Sequence, residues 1–123
     1  MNILLDTHIL LWHLTDNPKL SKEKSAIIEN PENGKFFSIA SLWEIGIKKS
    51  IGKLDINRQI TELIPIEVNI IAIKPTHIEK IMELPFHHRD PFNRMIIAQS
   101  MLDDLVVMTD DQNFKYYSVK LLT

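Results

Sequence analysis

The stretches NILLDTHILLW (residues 2–12) and LVVMTDD (residues 105–111) share one pattern, in which a short apolar run leads straight into an acid. The first run ends at Asp6, and the second passes through Thr109 to Asp110 and Asp111. A continuous apolar run of this length predicts a strand that is buried on both faces of a sheet. If the two strands lie side by side and parallel, their acids meet at one edge of the sheet.

Strand and helix patterns alternate along the rest of the chain. We predict strands over residues 2–6, 36–38, 70–73, 105–109 and 119–122. We predict helices over residues 7–14, 40–50, 57–64, 76–84 and 90–102, together with one that Ser21 caps. This alternation predicts an α/β fold, a three-layer α/β/α sandwich around a mostly parallel central sheet. The 123 residues suit a single domain, 1–123.

The composition, 45% hydrophobic and 24% charged, is typical of globular proteins. The chain has no cysteine, which excludes a disulfide framework and a thiolate metal site and fits the reducing cytoplasm, where we expect the protein to act. No apolar run approaches the roughly 18 residues of a membrane span, and we expect no signal peptide. Because the net charge is -2, nucleic-acid binding would depend on a local basic patch or on metal ions.

Two further acids stand beside predicted strand and helix ends. Glu44 lies within SIASLWEIGIKKSIGKL (residues 38–54), and Asp90 begins the most apolar helix within HHRDPFNRMIIAQ (residues 87–99). With Asp6 and Asp111 they form a set of four carboxylates that could converge. Crowded carboxylates repel one another, so such a site makes sense if divalent cations fill it. Mg2+ or Mn2+ suits oxygen ligands, and two such ions can clamp a phosphate during phosphoryl displacement.

Four motifs, in this order and spacing, resemble those of PIN-domain ribonucleases of the VapC toxin type. They are LLDTHILLW (4–12), SIASLWEIGIKKSIGKL (38–54), LPFHHRDPFNRMIIAQ (84–99) and MTDDQNFKYY (108–117). The resemblance covers almost the whole chain. It implies an α/β/α fold, metal-dependent cleavage of RNA, a cognate antitoxin that inhibits the enzyme, and a homodimer. The resemblance also implies that Asp6 and Glu44 are acids of the family's site. It implies the same for Asp111, from the spacing of that residue to Phe114 and Tyr117.

The third acid departs from the family's pattern, since relatives often read Asp-Pro-Phe-Asp where this chain reads Asp90-Pro91-Phe92-Asn93. We take Asp90 as the third catalytic and metal-binding acid and leave the role of Asn93 open, because an amide oxygen coordinates a cation without adding charge. Asn93, Asp110 and Thr109 are further candidates for metal ligands or for partners of metal-bound water. Arg89 and Arg94 are candidates for RNA phosphate contacts.

Each acid also has a simpler interpretation. Asp6 and Asp90 could act only as helix N-caps, Glu44 could pair with Lys48 at i+4, and Asp110 and Asp111 could be turn residues. For Trp12 and Trp43 we expect core packing rather than base stacking. The apolar face from Trp43 to Leu63 is a candidate surface for the antitoxin, with ordinary core as its alternative.

Two other functions remain open from the residues alone. One is a Mg2+-dependent phosphoryl-accepting switch or phosphatase, because Lys74-Pro75 after a strand is faintly similar to a receiver domain. Against it, no acid stands two residues beyond Asp6. The other is a catalytically inactive PIN-like binding module, for which Asn93 is the sole support.

Overall fold

The central sheet of the computed structural model, which describes residues 1–122, has five strands. They are β1 (Asn2–Leu5), β2 (Gly34–Ser38), β3 (Val68–Ile71), β4 (Val106–Met108) and β5 (Leu121–Leu122). Their order is β3-β2-β1-β4-β5, and all four neighbouring pairs are parallel. The predicted α/β class is therefore confirmed, with a sheet that is parallel throughout these strands.

Six α-helices connect or flank the strands. They are α1 (Thr7–Leu14), α2 (Lys22–Glu29), α3 (Ile39–Ser50), α4 (Ile60–Leu63), α5 (Pro75–Glu83) and α6 (Pro91–Leu102). The helix predicted over residues 57–64 is limited to Ile60–Leu63. It begins after Gln59, which makes no side-chain capping hydrogen bond, and it ends before Ile64 because that residue precedes a proline, which disfavours helical backbone there. Helix α5 begins at Pro75 itself, since a proline has no N–H to leave unsatisfied at a first helical position. Within residues 1–122, no helix is long and apolar enough to cross a membrane.

Side chains of β1 alternate between two hydrophobic clusters, one on each face of the sheet. Ile3 and Leu5 pack in the first cluster with residues of α1 and α3, among them Ile9, Leu10 and Ile45. Leu4 packs in the second cluster with residues of α6 and β4, among them Ile96, Ile97 and Val107. Helices therefore cover both faces of the sheet, which explains why β1 reads as a continuous apolar run and confirms the three-layer arrangement.

The strand order places a crevice between β1 and β4. The chain extends from β1 through β2 to β3 on one side, then returns to add β4 and β5 on the other. Leu5 is in register with Met108, and the next residue, Asp6, donates its N–H to the Met108 carbonyl at 3.0 Å. In parallel sheets, ligands bind outside the carboxyl ends of the strands where the strand order reverses, and Asp6 and Thr109 stand at that point.

Candidate active site

Asp6 is a buried carboxylate at the junction of β1 and α1. Its Oδ1 accepts a hydrogen bond from the Thr7 N–H at 2.7 Å, and its Oδ2 accepts one from the Thr109 hydroxyl at 2.7 Å. The residue is only 4% exposed. Burial raises the pKa of Asp6 above 3.8, against the lowering effect of both hydrogen bonds. Asp6 thus caps α1, as its simpler interpretation proposed, and is also a costly buried acid, which a cap alone does not require.

Glu44 lies in the second turn of α3 and faces the same crevice. Its Oε1 accepts a hydrogen bond from the Thr7 hydroxyl at 2.8 Å, and its Oε2 accepts one from Lys48 Nζ at 2.9 Å. Burial is the largest cause of the raised pKa of Asp6, and the charge of Glu44 raises it further, so the two carboxylates interact. The predicted i+4 pair with Lys48 therefore forms, but Glu44 is buried rather than on a solvated helix face.

Thr109 links Asp6 to the residues that follow β4. Its hydroxyl donates to Asp6 and accepts a hydrogen bond from the Asp111 N–H at 3.0 Å. Asp111 Oδ1 accepts from the Asn113 N–H at 2.9 Å and so caps a 3-10 helix, Gln112–Tyr116. The Thr109 hydroxyl therefore bridges Asp6 and Asp111 and orients both of these acids.

Asn93 links Asp111 to Asp90. The Asn93 side-chain nitrogen donates to Asp111 Oδ2 at 2.8 Å, and the Asn93 N–H donates to Asp90 Oδ1 at 3.1 Å. Asp90 Oδ1 also accepts from the Phe92 N–H at 2.9 Å, so Asp90 is the N-cap of α6. A carboxylate only accepts hydrogen bonds, so an amide at position 93 can hold Asp111 where a second carboxylate would repel it.

A continuous chain of hydrogen bonds thus joins all four acids. It runs from Glu44 through Thr7, Asp6, Thr109, Asp111 and Asn93 to Asp90. The acids are connected by these intervening groups rather than packed directly together: among residues 1–122, no three His, Asp or Glu side chains lie close enough to hold one ion. The side chains nevertheless offer only oxygen ligands of the kind that Mg2+ and Mn2+ prefer, so the donor set fits such a cation chemically.

The remaining predicted site residues lie in different surroundings. Asp110 is exposed and forms an ion pair with Lys24 at 2.7 Å, which directs it toward α2. Arg89 is exposed and directly precedes Asp90 in the chain. Arg94, by contrast, is only 4% exposed, so its guanidinium is unavailable for the RNA contact that the sequence suggested.

Arg94 instead ties the segment before α6 to the core. Its guanidinium donates hydrogen bonds to the carbonyl oxygens of Ile81, Leu84 and Pro85 at 2.9–3.3 Å. It also donates to the Tyr117 hydroxyl at 3.3 Å, which in turn accepts from the N–H groups of residues 87 and 88. The segment that leads to Asp90 is therefore held from both sides by buried polar contacts.

Sequence reasoning missed Thr7 and misplaced Trp43. The Thr7 hydroxyl bonds to Glu44 across 37 positions of the chain, and its only sequence signal is that it follows Asp6. Trp43 is 63% exposed and meets Phe92 edge-on at 5.4 Å, so the expectation that it packs in the core is wrong. Trp12 is partly buried against the first cluster, as expected.

Solved structures similar to this one contain toxin–antitoxin complexes. They include VapBC2 from Rickettsia felis bound to a DNA fragment from its promoter (16% identity, 99% of this chain and 98% of that chain, TM-score 0.72). They also include VapBC-1 from nontypeable Haemophilus influenzae (18% identity, 99% and 97%, TM-score 0.70) and a toxin-antitoxin complex from Klebsiella pneumoniae (22%, 98% and 96%, TM-score 0.65). At these identities the likeness concerns the fold.

No curated protein matches the sequence. The PIN domain family, however, matches residues 3–120. This span contains β2, β3, β4, all of β1 except Asn2, and all four acids of the hydrogen-bonded chain. A match of this extent covers the crevice between β1 and β4 together with the helices that supply Glu44 and Asp90. On this evidence the chain belongs to the PIN domain family.

Proposed function

We propose that this protein is a metal-dependent endoribonuclease and the toxin of a type II toxin–antitoxin pair. The observation that carries the proposal is the chain of hydrogen bonds that joins Asp6, Glu44, Asp90 and Asp111 at the carboxyl ends of β1 and β4. Membership of the PIN domain family supports nuclease chemistry, and the fold shared with VapBC complexes supports the toxin role. We place the protein in the cytoplasm, where its RNA substrate would be.

Asp6, Glu44, Asp90 and Asp111 would hold Mg2+ or Mn2+, either directly or through the several waters that such an ion keeps, with the Asn93 side-chain oxygen as a further candidate. Such an ion would supply an activated water for attack on the phosphodiester bond and would stabilise charge on the phosphate oxygens. Thr7 and Thr109 orient Glu44 and Asp6 through their hydroxyls, and Asn93 holds Asp111. Burial raises the pKa of Asp6 and disfavours its charged form, whereas a cation at this position would favour the charged form.

Asn93 also favours the competing function, a PIN-like binding module without activity. Its amide already satisfies Asp111 without any cation. Calorimetric titration with Mn2+ separates the two functions, because a nuclease must bind the ion and an inactive module would release no binding heat. We expect binding, since Asp6 and Glu44 remain as interacting buried carboxylates.

An exposed apolar groove is the candidate site for the antitoxin. It has a volume of about 670 Å³ and is lined by Trp43, Ile39, Ile60, Ile64, Ile66 and Ile70, among others. Leu63, which ended the face predicted from the sequence, is buried in the core instead. We propose that an apolar helix of the antitoxin fills this groove and that a basic side chain of the same partner reaches the acids. A homodimer is part of the same proposal.

The first experiment is cleavage of a mixed RNA pool by the purified protein with Mg2+ or Mn2+. Asp6→Asn, prepared in the same way, and excess EDTA are the controls. We expect wild-type protein to cut and both controls to be inactive. Cleavage by Asp6→Asn would rule out the proposed site, and cleavage in excess EDTA would rule out a metal-dependent mechanism.

A further inference from the structure

Lys48 binds one of the site's acids, although the proposed function gives it no role. Its ammonium donates to Glu44 Oε2 at 2.9 Å, while Glu44 Oε1 is occupied by the Thr7 hydroxyl. Both oxygens of Glu44 are therefore engaged. A divalent ion that uses Oε2 must displace the ammonium, because two cations on one carboxylate oxygen repel each other.

The surroundings of this pair distinguish it from ordinary i,i+4 pairs on helix surfaces. Exposed pairs contribute little because water screens both partners. Here the Glu44 side chain is 9% exposed, whereas that of Lys48 is 36% exposed. The carboxylate therefore faces the site while the lysine reaches it from the solvent side. Such an ammonium can leave the carboxylate and enter water at small cost, whereas the buried carboxylate needs a replacement cation.

The backbone holds Lys48 at the rim of the site. The carbonyl of Lys48 accepts a hydrogen bond from the Lys53 N–H at 2.9 Å, and that of Lys49 accepts one from the Gly52 N–H at 3.2 Å. These two bonds form the motif that ends α3. The displaced ammonium therefore stays tethered near Glu44 on a flexible stem, and it carries three donors for the next anion that arrives.

We infer that Lys48 competes with the divalent ion for Glu44 and, once displaced, binds a phosphate of the RNA beside the scissile bond. This inference rests on the proposed nuclease function. In this arrangement one lysine stabilises the acids when no ion is bound and contacts the substrate when the ion is present. Metal binding and RNA binding are thereby coupled through a single side chain.

The test compares Lys48→Met with Lys49→Met, a matched control on the same turn. Lys49 bonds to the Arg58 carbonyl rather than to an acid of the site. Calorimetry with Mn2+ alone should show roughly threefold to fivefold tighter binding for Lys48→Met, the size expected when one ion pair no longer competes. The Mn2+ affinity of Lys49→Met should stay within about twofold of that of wild type, because Lys49 does not contact Glu44. Both variants lose one positive charge, so any through-space charge effect is common to them.

The second measurement is kcat/KM on a labelled single-stranded RNA at saturating Mn2+ and several salt concentrations. For Lys48→Met we expect a slope of log kcat/KM against log salt that is smaller by about 0.7, the value for one phosphate contact on a single strand. Lys48→Arg should restore the wild-type slope. If Lys48→Met does not fold, Lys48→Gln is also neutral and carries the same expectations.

The outcomes separate the inference from the function on which it rests. If wild type binds Mn2+ and cuts RNA but Lys48→Met behaves like Lys49→Met, then Lys48 and Glu44 form an ordinary surface ion pair. In that case only the inference about Lys48 fails. Weaker Mn2+ binding by Lys48→Met would also overturn it, because Lys48 would then position Glu44 rather than compete for it. If wild type neither binds Mn2+ nor cuts RNA, the nuclease proposal itself fails.

Discussion

At the scale of single residues, the buried carboxylate of Asp6 lowers the stability of the folded protein when it is charged. Burial raises the pKa of this carboxyl above 3.8, the value that applies in the unfolded chain. Between that value and the raised pKa, the folded protein binds more protons at this group than the unfolded chain. The stability contribution of Asp6 therefore falls as pH rises through this interval. A buried acid kept at such a cost is typical of a functional site.

We expect Asp6→Asn to lose cleavage while it unfolds at a higher temperature than wild type at pH 7. The amide carries no charge to desolvate, and its oxygen can still cap the Thr7 N–H. The difference should narrow as pH falls toward 3.8 and below it, because the wild-type carboxyl is protonated in both states only at pH values below 3.8. Thermal unfolding across this pH range measures the difference in stability. Asp110→Asn, which replaces an exposed acid, is the control, and we expect it to show no gain in stability. An Asp6→Asn protein less stable than wild type at pH 7 would contradict the argument.

At the scale of secondary structure, helix α3 carries Glu44 and Lys48. One glycine lies inside this helix, and another lies just beyond its end. Gly46 lies in the helix interior, where an added Cβ would meet no atom within 4 Å. Gly52 has a φ of +74°, a left-handed conformation that other residues adopt with strain. Its N–H and that of Lys53 satisfy carbonyls of the last helical turn. The two glycines therefore have opposite effects on stability.

We predict that Gly46→Ala raises the free energy of unfolding by about 1 kcal/mol, through better helix propensity. Gly52→Ala should lower it by about 1 kcal/mol, because alanine is disfavoured at positive φ. Urea denaturation of both variants measures the two shifts. Equal signs for the pair would refute this account of where α3 ends.

The segment between α5 and α6 depends on one buried guanidinium. We predict that Arg94→Met lowers the free energy of unfolding by about 3 kcal/mol, because carbonyls of Ile81, Leu84 and Pro85 lose a buried donor. Tyr117→Phe should cost less, about 1 kcal/mol, since it removes only a shared hydroxyl. Urea denaturation provides both values. An Arg94→Met protein as stable as wild type would show that the guanidinium does not hold this segment.

At the scale of the whole molecule, the apolar groove beside α3 is the surface that a partner would cover. Ile66 is fully exposed, and Trp43 and Ile70 are 63% and 46% exposed. An apolar surface of this kind marks a site of protein association. Its position next to the helix that carries Glu44 places a partner in the groove close to the acids.

We predict that Ile66→Ser weakens binding of the cognate antitoxin by roughly tenfold, the effect expected for a central apolar contact. Stability should change by less than about 0.5 kcal/mol, because the side chain is already in water. Ile78→Ser is the matched control, since Ile78 is 51% exposed on α5 and does not line the groove. Calorimetric binding to the antitoxin measures both variants. Equal affinities for the two would move the binding site elsewhere.

Much of the site was predictable because its signals are local. Asp6, Asp90 and Asp111 stand at helix N-termini, where the cap depends on residues within three positions of each acid. The position of Glu44 one helix turn from Lys48 likewise follows from spacing. The burial of Arg94 was not predictable, because it depends on carbonyls 9 to 13 residues away in a different element.

The sequence by itself determined the alternation of strands and helices, the apolar runs of the sheet and the order of the four acids. Each follows from periodicity and capping within one element. Only the tertiary structure decided that β1 lies between β2 and β4, that Thr7 bonds to Glu44, and that Trp43 faces outward. These features join residues tens of positions apart or depend on which surfaces remain uncovered. They are therefore determined by the packing of the elements against one another, which local sequence preferences do not specify.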